Sequence, residues 1–202
     1  MIASEDGPKT ASFPAEGGLL ALALVALVAG ALAGLVGAIF RLTLAEADGV
    51  RSAFIAWAHG RATLGFACVV MGCAAASAIA AGLVRRCSPQ AHGSGIPHVE
   101  AVLRGELPPA PFLLIPVKFL GGLLAMGAGL ALGREGPSVQ MGAGLAHLVG
   151  KIFHRGWTDC RVLIAAGAGA GLATAFNAPI AGAVFVLRNW CHGSNPESRS
   201  PP

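Results

Sequence analysis

Charged positions are sparse along this chain, and they bracket long apolar runs instead of alternating with them. Gly17 to Phe40 (GGLLALALVALVAGALAGLVGAIF) lies between Glu16 and Arg41, and Ala62 to Val84 lies between Arg61 and Arg85. Each run exceeds the roughly 20 residues that cross a bilayer's hydrocarbon core, so each predicts a transmembrane helix. A third uncharged run lies between Arg161 and Arg188, but its small-residue texture (GAGAGLATAFNAPIAG, from Gly167) and Pro179 predict a helix that breaks. Together with shorter apolar stretches, the pattern predicts helices near 18–46, 62–84, 95–104, 112–131, 137–152, 161–175 and 180–188. Several are too short to span. Backbone groups at their ends find no partner in lipid, so these ends must pack in protein or face a watery cavity.

The breaks share a pattern. GSGIP at Gly93 to Pro97, GREGP at Gly133 to Pro137 and FNAP at Phe176 to Pro179 each place Pro where a new helix would begin, a position where its missing N–H costs nothing. Each predicts a helix N-terminus, which offers free N–H groups and partial positive charge, and hence an anion site in a low-dielectric setting. GREGP also carries Arg134 and Glu135 between uncharged stretches, Phe119 to Gly133 and Gly136 to Gly150. A charge at membrane depth costs roughly 2.5–3.5 kcal/mol on insertion scales and marks a pathway more often than a plain ion pair. Ser94 adds a hydroxyl that either caps the helix after it or faces an anion. Glu135 would compete with an anion for the same positive end and withdraw when protonated, which is gating chemistry. Lys118, alone in an apolar helix, reads as a further source of positive potential or as a side chain that snorkels to an interface.

Composition settles the solvent. Of 202 residues 54% are hydrophobic and 12% charged, against about a quarter charged in ordinary soluble domains. The net charge of +4 comes from cations scattered at span ends, with no basic face interleaved with aromatics, so no nucleic-acid partner is expected. The first run starts too late and is too long for a signal peptide, and is read as a retained span. Arg85 and Arg86 place their end of the second run, and with it the N-terminus, on the cytoplasmic side. The odd count of five cysteines, without a CxxC pair, supports neither a disulfide framework nor zinc, leaving buried thiols. No spacing among His98, His147 and His154 makes a metal triad, and no cofactor is implied. The histidines are read as surface or interface groups. GAGAG at 167–171 follows no strand and is read as close helix packing, not as a nucleotide loop.

Three segments, GSGIPHVEAVLRGE, KFLGGLLAMGAGLALGREGPSVQMGA and AAGAGAGLATAFNAPIAGAVFVL, resemble in order and spacing the successive signature segments of the CLC family of chloride channels and chloride/proton antiporters. The resemblance runs from about Gly17 to Leu187. It implies an all-α integral membrane protein of tilted and broken helices, the first half of that family's inverted-repeat fold. Residue by residue, it implies Ser94 as the hydroxyl ligand of the central anion, with Gly95 and Ile96 behind it. It implies Glu135 as the gating glutamate, and the backbone around Arg134, Gly136 and Pro137 as the outer anion site. Its members are homodimers with one pore per subunit, which implies chloride or a similar small anion as substrate and a second copy of the chain as partner. A multi-pass protein of the plasma (inner) membrane is expected.

The departures matter as well. No second half is matched, and the chain has no Tyr, the residue whose hydroxyl the second half supplies to the anion in relatives. Where antiporters of this family continue into a Glu-Glu pair that relays protons, Arg188 and Asn189 stand. Residues 1–16 read as a polar arm, 17–187 as the membrane half-domain and 188–202 as a polar, non-matching tail. The expectation is a truncated anion transporter, not an enzyme, with a non-conducting fragment or degenerate gene product as the alternative. A serine hydrolase using Ser94 with His98 would need an orienting acid, for which Glu100 is the one candidate, and an oxyanion hole.

Overall fold

The computed structural model describes residues 16–188, which form seven α-helices and one 3-10 turn. They are α1 (Glu16–His59), α2 (Ala62–Cys87), the 3-10 turn Pro89–Ala91, α3 (Ile96–Arg104), α4 (Leu114–Gly127), α5 (Glu135–Ile152), α6 (Trp157–Phe176) and α7 (Pro179–Val186). Three of them are long and apolar enough to cross a membrane, within Gly18–His59, Thr63–Cys87 and Trp157–Phe176. The third uncharged run breaks as expected, α6 ending at Phe176 on a left-handed Asn177 (φ 56°) and α7 starting at Pro179.

One boundary differs substantially. The charge pattern predicts a first helix ending near 46, yet α1 runs 44 residues, about 66 Å at 1.5 Å per residue. Several polar groups of its second half are satisfied within the helix or across to another. Ser52 donates to the Asp48 carbonyl (2.8 Å), Asp48 pairs with Arg51 (2.8 Å), and Arg51 reaches the Met126 carbonyl (3.3 Å). A guanidinium thus meets the carboxyl end of α4, where a cation is electrostatically favoured.

α5 and α6 form the centre, with α1 packed along both and α3 and α7 beside α6. From Val25 to Leu44 the buried positions on α1 are Val25, Ala29, Ala33, Gly37, Phe40 and Leu44, one stripe at three- and four-residue spacing. Leu24, Leu27, Leu32 and Leu35 point outward, while Ala29, Ala33 and Gly37 form the middle of the inward stripe, where small residues allow close helix packing. α2 is nearly uncovered, with 6% of its span window buried. Of the cysteines expected to be buried thiols, Cys160 is buried, whereas Cys68 and Cys87 are exposed on α2. The helix has little of the chain against it, and Cys191 lies outside the described residues.

The GAGAG stretch packs as expected. A Cβ at Gly142 would fall on the Gly167 carbonyl, and one at Gly171 would stand 2.7 Å from the Ser138 carbonyl carbon. Backbone cannot yield there. Gly142→Val is therefore expected to cost at least the ~1–3 kcal/mol of ordinary overpacking. Gly30→Ala, with nothing within 4 Å of the added Cβ, should leave the detergent melting temperature unchanged or raised. Equal melting of the two variants would contradict this packing.

Candidate functional site

The first two breaks meet. Ser94 lies between Gly93 (φ 71°) and Gly95 (φ 86°), both in the left-handed region that glycine enters without strain. This doubly turned loop delivers the chain to the start of α3 with Pro97 in the first turn. α5 begins at Glu135, two residues earlier than expected, so Glu135 sits in its first turn. The two helix starts touch at Gly136: a Cβ there would stand 2.7 Å from Ser94 Oγ and 2.9 Å from the Ser94 carbonyl carbon. Gly136 is thus the residue whose missing side chain lets the Ser94 loop close on α5.

Both starts open on a cavity of about 650 Å³ lined by Ser94, Ile96, Lys118, Glu135, Gly136 and Pro137 among others. Ser94 is exposed to it and Glu135 partly so. The Glu135 carboxylate folds back over Gly133, whose added Cβ would stand 3.3 Å from Glu135 Cδ. It therefore lies at the N-terminal end of its own helix, the end that attracts negative charge. Gly95 is buried beneath the loop and, like Arg134, is absent from the lining. Arg134 is exposed, and among the described residues no ion pair joins it to Glu135. The third break, expected to converge with the others, does not: no residue of Phe176–Pro179 lines the cavity. α7 instead packs on α6, where a Cβ at Gly182 would stand 2.6 Å from the Gly169 carbonyl oxygen.

Lys118 does not snorkel. It is 5% exposed, and its ammonium donates to the carbonyls of Ala91 (2.9 Å) and Gly93 (2.6 Å). These oxygens flank the Ser94 loop, and in a dry setting free carbonyls would repel an anion. Lys118 both occupies them and leaves positive charge beside the cavity. Gln140 gives a second support: 2% exposed, it donates from Nε2 to the Gln90 carbonyl (2.9 Å). The available signal was an uncharged polar side chain inside the apolar first turns of α5.

Among the described residues no group of three or more His, Cys, Asp or Glu is arranged for a metal ion. Nor is the hydrolase arrangement assembled. No hydrogen bond joins Ser94 to His98, and Glu100 pairs with Arg104 at 3.6 Å.

Residues 73–200 match the family described as voltage gated chloride channel, a match that runs past Leu187 into the polar tail set apart in the sequence. The chain is 41% identical over 169 residues to the H(+)/Cl(-) exchange transporter ClcA of Cronobacter sakazakii and 39% identical to that of Salmonella paratyphi A. Each similarity covers 83% of this chain and 36% of the relative. Among solved structures, a slow cyanobacterial Cl-/H+ antiporter superposes with TM-score 0.80 at 35% identity, covering 84% of this chain and 40% of that one. A CLC-type fluoride/proton antiporter gives 0.70 at 29% identity, covering 87% and 41%. The chain thus spans little more than a third of the length of its curated relatives.

Proposed function

The chain belongs to the voltage gated chloride channel family, and from that membership we propose that it contributes one wall of a chloride pathway through a membrane. Its apolar spans and its relatives make it an integral membrane protein; residence in the plasma (inner) membrane and assembly as a homodimer are part of the proposal. The observation that carries it is the contact at Gly136, which sets the Ser94 loop and the Glu135 turn on one cavity. In this reading Ser94 Oγ and the N–H groups of Gly95 and Ile96 hold the anion, while the first turn of α5 at Gly136, with Arg134 beside it, supplies the outer site. Glu135 closes that site when ionised.

Chloride, compact and strongly hydrated, needs stronger donors than nitrate. Ser94→Pro removes both a hydroxyl and an N–H. In the chain fused to the remainder of the Cronobacter sakazakii relative, it should shift the flux ratio toward nitrate about tenfold, the equivalent of ~1.4 kcal/mol. Anion efflux from liposomes measures the ratio, and an unchanged value would leave Ser94 as a helix cap only.

A further inference from the structure

The Glu135 carboxylate rests on the segment before its helix, folded back over Gly133, and that segment is open. Every residue from Gly129 to Arg134 is exposed, whereas α5 is buried from Gly136 onward. Leu130, Leu132 and Gly133 of the segment line the large cavity together with Glu135. The place of the carboxylate therefore depends on how the far end of the segment is held. That end is the close of α4. The N–H groups of Gly129 and Leu130 turn back to the carbonyls of Met126 (2.9 Å) and Ala125 (3.2 Å), with Gly129 in the left-handed region (φ 94°).

This corner is built against the second half of α1. A Cβ at Gly127 would stand 3.2 Å from Ala47 Cβ, and one at Gly129 would stand 3.5 Å from Arg51 Cδ. Ala47 and Arg51 are four apart and so share one face of the helix. The Arg51 stem lies against Gly129 while its Nη1 donates to the Met126 carbonyl (3.3 Å). The same nitrogen pairs with Asp48 (2.8 Å). Its two hydrogens can serve both acceptors at once, so the Asp48 carboxylate aims the guanidinium at the end of α4.

We propose that Arg51, braced by Asp48, is a positioning residue for Glu135: it ties the end of α4 to α1 and thereby sets the segment on which the carboxylate rests. The inference rests on the reading of Glu135 as the gate. It adds that α1, which supplies none of the proposed anion donors, controls how well that gate shuts. With the tie loosened, the ionised carboxylate leaves its site part of the time, and flux persists at high external pH.

The test uses the chain fused to the remainder of the Cronobacter sakazakii relative. Arg51→Met keeps the stem and removes the donors, whereas Asp48→Asn removes only the charge that braces them. Arg51→Met should raise the chloride efflux remaining at high external pH, relative to the acid plateau, by about threefold, the scale of one partly exposed hydrogen bond. Asp48→Asn should raise it less, in the same direction. A charge acting through space would do otherwise: losing Arg51 favours the proton on Glu135 and losing Asp48 disfavours it, so the two ratios would move oppositely. The cavity's other charged or titratable walls, Arg85, His92 and Lys118, and Arg134 beside Glu135 are the same in both variants. Loss of folded protein scales efflux equally at every pH and leaves the ratio unmoved. On a Glu135→Gln background, Arg51→Met should change nothing further. An unchanged ratio in Arg51→Met, opposite shifts in the two variants, or a further change on the Glu135→Gln background would overturn the role of Arg51 while leaving the gate in place. A Glu135→Gln variant that keeps the parental pH profile would remove the gate, and this inference with it.

Discussion

Liposomes carrying the Glu135→Gln form, in the chain fused to the remainder of the Cronobacter sakazakii relative, are expected to release chloride at a rate independent of external pH. The Glu135 carboxylate lies over Gly133 at the mouth of the cavity and at the N-terminal end of α5. On the proposed reading, ionised Glu135 fills the position whose N–H groups and dipole would hold an anion, and protonated it has no claim on them. Gln keeps the shape and removes the charge. A gate controlled by one proton changes flux by up to about tenfold per pH unit, since a unit corresponds to 1.36 kcal/mol. That dependence should collapse to a flat line at the parent's acid rate. Retention of the parental profile in the Gln variant would remove Glu135 from the gate.

A second large effect concerns the 202-residue polypeptide reconstituted by itself, which is expected to leave liposomes as chloride-tight as protein-free controls. An anion at membrane depth must exchange its water for donors on all sides, and the proposed donors, at Ser94 and the starts of α3 and α5, belong to the one wall this chain supplies. The relatives reach their named activity with chains of which this one spans 36%. Backbone groups at the broken ends would also face lipid, at several kcal/mol each. Chloride-electrode efflux clearly above the control, and lost on Glu135→Ala or Ser94→Ala exchange, would show that this wall suffices.

Much of this architecture is legible in the residues. The charged brackets around Gly17–Phe40 and Ala62–Val84 mark two spans because charge is expensive in lipid. The Gly and Pro of GSGIP, GREGP and FNAP mark the breaks because they act on the backbone locally. The far end of α1 was not legible: Glu46, Asp48 and Arg51 look like a loop until Arg51 finds the Met126 carbonyl on another helix.

The sequence by itself determined the solvent, two of the three long spans, the positions of the three breaks and the family, since each rests on composition or on a motif read within a few neighbouring residues. Which face of each helix turns inward was left to the tertiary structure. Lipid and protein interior are both apolar, so hydrophobicity does not alternate between them, and the inward stripe Val25, Ala29, Ala33, Gly37, Phe40, Leu44 is marked by small size at its centre, not by polarity. The meeting of Ser94 with Gly136, the turn of Lys118 onto the Ala91 and Gly93 carbonyls, and the exclusion of the FNAP break from the cavity were likewise decided by packing. They join residues far apart in the chain, and nothing in the local chemistry of either partner specifies the other.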